Sequence, residues 1–594
     1  MGAKNFPGSG LIAAARVFIR GFRRGFLGDI SHEYSLYQLY KYLQERLNNG
    51  GENALYDIHG EFARGSVTWG KIYLTLSRVY GEPCAVAGPE VANEFRKLSD
   101  GCPLGLGVEM SVISRQGFVV LGALAGLLHS SLAWSGNVDP FAPLETRGTA
   151  AVESTVPIAG KKVILSGATV MTASGTVFSP GYVSVDSGRI IGVGPGEPKA
   201  TEDAVRIDVT GRFITPGLID THSHLGVYPS PSAHAHGDGN EATAPTTPGV
   251  WSEHSVWPQD PGFERAMAGG VTAMQILPGS ANLIGGRGFV IQNTPHRGPR
   301  AMRFPQAPET IKMACGENPK RVYGDKGGPS TRMGNIHGQR SAFIRATRYM
   351  EEWQRWEQRV QKKREHYERE LARGKKRGHE PEPLEMSPAR DLDMETLAGV
   401  LQGKILPQIH CYRADDMLSM MQIAEEFGFT IRSFHHALES YKIRDILAEK
   451  KIASSTWADW WGFKMEAYDG IPYNAGMLTD AGAKAIIHSD SSVGIQRLNQ
   501  EAAKALQAAE EAGFTVSEDQ ALQWITLHPA WALGIEDQVG SIEEGKRADL
   551  VVWDKHPFSV YASAELVFVE GDLHYDKSRS RTWSDFELGL EVGR

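Results

Sequence analysis

The chain runs to 594 residues, 41% hydrophobic and 22% charged, an ordinary globular composition with material for a large core. Its net charge of −8 argues against a nucleic-acid partner, whose recognition calls for a basic surface. Four widely spread cysteines, Cys84, Cys102, Cys315 and Cys411, offer neither CxxC metal spacing nor a disulfide framework, and they leave the redox compartment open.

Residues 1–109 carry no legible chemistry. The first 28 hold Arg16, Arg20, Arg23 and Arg24 and no acid, a weak likeness to an organellar transit sequence. GFVVLGALAGLLHSSLAW (117–134) is apolar apart from His129 and two serines, follows Arg115, and ends in small residues. Within 110–135 this pattern predicts a signal peptide or membrane anchor, and with it an exported catalytic region. The Pro- and Gly-punctuated stretch 136–160 reads as a linker. From 161 to 196, β-branched residues alternate with turn signals, as in short antiparallel strands, and 540–576 has the same texture. Two strand-rich flanks, 161–212 and 540–580, predict one composite β-sandwich built from both ends. Between them, from 213 to 539, short apolar runs alternate with amphipathic helical stretches, the rhythm of βα repeats around a parallel sheet. A long amphipathic helix is predicted over 343–373, on the spacing of Phe343, Ala346, Met350, Trp353, Trp356 and Val360. It is expected to lie solvated on the outside of the α/β core rather than to act as a lid, and 374–388 follows as a surface loop.

The informative stretch is FITPGLIDTHSHLG (213–226), an apolar run ending in His222-Ser223-His224. Residues two apart on a strand point the same way, so both imidazoles can reach one zinc-like cation. Three more apolar strands end in polar groups: His410 in KILPQIHCYRADD, His435-His436 in FTIRSFHHALES, and His488-Ser489-Asp490 in AKAIIHSDSS. A strand-rich prelude followed by PGLIDTHSH resembles the first barrel strand of the amidohydrolase superfamily. The resemblance, covering about 160–575, implies a (β/α)₈ barrel with its active site at the strand C-terminal ends. It implies His222, His224, His410, His436 and Asp490 as metal ligands, with Asp490 activating water. His435, next to His436, is expected to point away if the strand is regular. Related members bridge two metals with a glutamate or a carbamylated lysine. Here Glu317 is preferred, because Gly316 lets the backbone turn in close, and Lys312 is the competing choice. Cys315 and Cys411 adjoin the site and read as small buried hydrophobes.

Residues 276–292, KMACGENPKR, HCYRADD and 454–491 are similar to an exported branch related to imidazolonepropionase. This implies a divalent metal, zinc in type, with one or two ions left open. The reaction implied is hydrolysis of an amide, cyclic amide or small peptide, with Asp490 as general base turned general acid and His436 as second-metal ligand or oxyanion stabiliser. Arg287, Arg413, Trp461, Lys464 and Tyr468 are expected to contact the substrate, the cations through a carboxylate. The loop 227–249, with His234 and His236, is expected to cover the site without binding metal. Deamination of a ring amidine on the same site is the rival reaction. A non-catalytic binding protein on this fold would lack ligands that are present here. Substrate identity and oligomeric state stay open.

Overall fold

The computed structural model describes residues 160–198, 203–229, 232, 234–373 and 386–579. The expectations for 1–109, for the apolar segment 117–134, for most of the linker and for most of the loop 374–388 fall outside them. Among the described residues no helix is long and apolar enough to cross a membrane.

The flanks together form one small β domain, as expected, its eight strands joined in a single hydrogen-bonded sheet. Its members are β1 (Val163–Met171), β2 (Val177–Asp186), β3 (Arg189–Pro195), β4 (Val205–Asp208) and β5 (Phe213–Pro216) from the first flank. The second flank supplies β14 (Leu550–Trp553), β15 (Ala564–Val569) and β16 (Asp572–Asp576). The β2–β3 hairpin turns through Ser187 and Gly188, both at positive φ, as the right-handed twist of its strands requires. β5 joins the flanks, pairing with β1 on one side and antiparallel to β14 on the other. Val163, Leu165, Ile214, Leu550, Val552 and Phe568 fill a core of their own.

The chain passes from β5 into the barrel across Gly217, where any Cβ would collide with Thr272. Eight strands follow in sequential order: β6 (Leu218–Ser223), β7 (Val271–Ile276), β8 (Ile284–Gln292), β9 (Glu309–Ala314), β10 (Ile405–Cys411), β11 (Ser433–His436), β12 (Ala453–Thr456) and β13 (Ala485–Ile487). β6, β7, β11, β12 and β13 are buried along their whole length, so none shows the in–out alternation of a half-exposed strand. One strand departs from the expected βα repeat: β8 runs antiparallel to both of its neighbours. The end of β13 returns to β6 through Asp490 N, which donates to His222 O at 2.9 Å.

The insert helix spans Arg332–Ala372, starting eleven residues before its predicted limit. Its first half packs on the barrel, with Phe343 stacked on Phe429 at 4.7 Å, and the second half faces solvent. That agrees with an outer helix and not with a lid.

Candidate active site

The C-terminal ends of the barrel strands bring six histidines, one lysine and one aspartate together. Parallel register sets Lys312 beside Gln408 and His410 beside His435, so these side chains share the lumen face. His435 therefore points inward with His410, contrary to the expectation that it would face away. His436, one step on, would face outward in a regular strand. Instead its φ of 68°, followed by 36° at Ala437, breaks the extended backbone. The His436 ring then lies 4.7 Å from that of His222 and 4.5 Å from that of His410.

On the closing side, Asp490 also sits at positive φ, 47°. Asp220 holds this corner together. Its carboxylate accepts from His222 N at 3.0 Å, from Ser489 N at 3.2 Å and from the Ser489 hydroxyl. Burial still pushes the Asp220 carboxyl up to about 6.

Asp490 Oδ1 lies 3.1 Å from His224 Nε2 and 3.7 Å from His222 Nε2. His224 Nδ1 donates to the carbonyl of Leu277 at 2.8 Å. Nε2 faces the carboxylate oxygen, and either a proton on Nε2 or a cation held between the two atoms satisfies the contact. The ligand atoms of His222, His224 and Asp490 all lie within 4.8 Å of one another, and the same holds for His222, His435 and His488. His410 Nδ1 is buried and has no hydrogen-bond partner among the described residues. This donor set, imidazole nitrogens with one carboxylate, suits a zinc-type ion.

Burial dominates the protonation of the cluster. It drives His222, His410, His435 and His436 well below the ordinary imidazole range and His488 to about 4, so the rings stay neutral and able to ligate. Burial likewise lowers Lys312 to about 7, opposed by Asp490. For Asp490 burial acts upward, yet the His224 contact and the cationic surroundings outweigh it and hold the carboxyl below its ordinary value.

Lys312 and Glu317 occupy different places. Lys312 is 1% exposed, and its Nζ lies 3.1 Å from His222 Nε2, inside the cluster. Glu317 begins a helix after Gly316, and its side chain is 32% exposed and paired with Lys464 at 3.2 Å. The Gly316 turn brings the backbone against Glu466 rather than aiming Glu317 at the histidines.

Of the five residues expected to meet substrate, Lys464 stands at the rim, 4.0 Å over the Tyr412 ring, and Trp461 and Tyr468 are exposed on the same loop. Arg287 donates to Thr396 and lies over Trp251, and Arg413 forks onto Asp415. Neither has a contact with the metal-ligating group. His236 packs against Trp257 at 4.7 Å with the rings tilted, and neither it nor His234 belongs to a metal-competent group among the described residues.

Two features escaped the sequence reading. Tyr412 and Trp457 both pack against the His436 ring, at 5.1 and 4.5 Å, and lie 6.3 Å from each other, while Trp460 stacks on Trp457. Strand-end aromatics carry no label that separates a wall from packing. The second is a disulfide between Cys315 and Cys411, with Cα atoms 5.3 Å apart, where two separate buried thiols were expected. Adjacent strands β9 and β10 end beside each other, with Cys315 N donating to His410 O at 2.9 Å. Proximity of that kind is set by register and cannot be read from spacing.

The sequence profile of the amidohydrolase family matches residues 465–577, which include Asp490. A crystal structure of an amidohydrolase from Thermotoga maritima MSB8 is similar with a TM-score of 0.60 and 36% identity, covering 70% of this chain and 100% of that one. The amidohydrolase tasK of Hapsidospora irregularis is 35% identical over 412 residues, 67% of this chain and 40% of tasK. An imidazolonepropionase of Acinetobacter baumannii (strain AB307-0294) is 50% identical over 62 residues, 10% of this chain and 14% of that protein. The chain thus spans less than half the length of these two curated relatives.

Proposed function

The chain belongs to the amidohydrolase family, and we propose that it is a metal-dependent hydrolase of carbon–nitrogen bonds, acting on an amide, a cyclic amide or a small peptide. The observation that carries this reading is the convergence of lone pairs from His222, His224 and Asp490 on one point. A divalent ion held there, zinc by the chemistry of the donors, would supply an activated water and polarise the scissile carbonyl.

The chain's own groups supply the rest. His222, His224, His410, His436 and Asp490 hold the metal. Lys312, buried inside the cluster, is the favoured source of a bridging carboxylate as its carbamate; Glu317, turned to Lys464, is not. Asp490 accepts a proton from water and returns it to the leaving nitrogen. His436, buried against Tyr412 and Trp457, is kept from solvent and stays neutral, suited to ligation or to stabilising an oxyanion rather than to acid catalysis. Trp460, Trp461, Phe463 and Tyr468 are exposed and offer an apolar rim, which favours substrates with an aliphatic or aromatic side chain. Lys464 is the cation at hand for a substrate carboxylate. The Cys315–Cys411 disulfide supports export, since such bonds persist in oxidising compartments.

The test is zinc loading of the full chain followed by assay against dipeptides, N-acyl amino acids and imidazolone rings, alongside Asp490→Asn. Amide or ring opening that depends on added zinc and falls at least about 100-fold in Asp490→Asn is expected. Failure to bind zinc under any reconstitution would sink the reading.

A further inference from the structure

His435 and His488 are fully buried imidazoles, and the hydrolytic mechanism gives neither a role. Their hydrogen bonds determine which ring nitrogens of their neighbours remain available. The carbonyl of Thr456 can only accept, so His488 Nδ1, 2.9 Å away, carries the hydrogen. A neutral His488 is then an acceptor at Nε2. His436 Nδ1, 3.1 Å from that atom, must donate to it. The His436 Nε2 lone pair is thereby left free.

The second relay has the opposite sense and the same result. Gln408 donates its amide nitrogen to Ala532 O at 2.9 Å, which turns its oxygen towards His435 Nε2 at 2.8 Å. His435 therefore donates from Nε2 and accepts at Nδ1. His222 Nδ1, 3.0 Å away, donates to it. The remaining lone pair, on His222 Nε2, is the one that faces Lys312 and Asp490. His224 reaches the same tautomer through Leu277 O.

We propose that His435 and His488 are positioning residues that fix the tautomer and orientation of His222 and His436, so that His222 presents Nε2 towards Lys312 and Asp490 and His436 keeps its lone pair on Nε2. The proposal rests on the metal-dependent reading above. A zinc ligand commonly donates its other ring N–H to a carboxylate or carbonyl; here that acceptor is a neutral imidazole. Such a prop adds no negative charge, so the charge of the site is left to Asp490 and to the group on Lys312. Their nitrogens come close enough to bind an ion with His222, but an ion there would have to break both relays.

The zinc dissociation constant of the full chain, measured by competition with a chelator, tests this. His435→Phe and His488→Phe each keep the volume and remove the acceptor, and should weaken zinc about 10- to 100-fold. His435→Asn places an amide oxygen where Nδ1 stood, and His488→Gln places one where Nε2 stood; both should stay within a few-fold of wild type. If the Phe variants do not fold, the comparisons His435→Asn against His435→Gln and His488→Gln against His488→Asn decide, with the first of each pair binding tighter. Wild-type affinity in folded Phe variants, or no difference within those pairs, overturns the proposal. So does loss of one whole zinc per chain, which would make the residue a ligand. Absence of zinc from the wild type itself would instead remove the hydrolase reading on which the proposal stands.

Discussion

His224 Nε2 and Asp490 Oδ1 face each other at 3.1 Å while the other ring nitrogen of His224 is tied to Leu277 O. Asp490→Asn removes the carboxylate from this pair and should bind zinc more weakly. Zinc should then raise the melting temperature of the wild type more than that of the variant. Melting with and without chelator checks this, and an equal rise in both would count against Asp490 as a ligand.

Lys312 and Glu317 are five residues apart, yet only Lys312 lies inside the histidine cluster. Lys312→Ala should lose bound zinc and activity, and short carboxylates such as acetate or propionate should restore part of the activity by filling the same space. Glu317→Gln should keep its metal and change KM, through the loosened Lys464, more than kcat. Metal analysis of the two variants side by side separates them.

His528 donates from Nδ1 to Ala485 O at 2.8 Å, and burial holds its pKa at about 4. In the unfolded chain the same ring titrates near 6.5. Unfolding therefore takes up a proton between those values. The stability tied to His528 is complete above about pH 6.5, falls as the pH drops, and is fully lost below about pH 4. The ring is partly exposed, so the loss is about 2 kcal/mol rather than the full shift. In His528→Asn, which keeps a donor near Nδ1, urea unfolding at pH 7 and pH 4.5 should differ less than in wild type.

The Cys315–Cys411 bond closes a loop with a sequence separation of 96. On chain-entropy grounds a loop of that size gives up to about 4 to 5 kcal/mol, and measured values run lower, about 2 to 4. Reduction should lower the melting temperature of the wild type and leave Cys315→Ala/Cys411→Ala unaffected. The reduced wild type and the double variant should melt together.

How much could be read in advance depended on what the physics writes into sequence. A strand buried on both faces is an apolar run, so the ends bearing His222, His410, His436 and Asp490 stood out as polar residues after such runs. Strand direction leaves no such mark, and β8 reversed unannounced. The left-handed turn at His436 escaped for a related reason: a regular strand was the default, and it turned His435 away from a cluster that both histidines join. A glycine turn marks Glu317 in the sequence, whereas nothing marks Lys312, whose place beside His222 follows from β9 ending two residues past it.

Pro216 on β5 is the cross-strand partner of Leu550 on β14. The barrel thus leaves and re-enters the flanking sheet at a single point. During synthesis, β1 to β5 emerge first and must wait for the whole barrel before β14 arrives to cover the open side of β5. Until then that side is an unpaired edge, the kind that recruits strands from neighbouring chains. A ribosome stalled before residue 550 would release a finished catalytic centre attached to an unfinished, adhesive sheet.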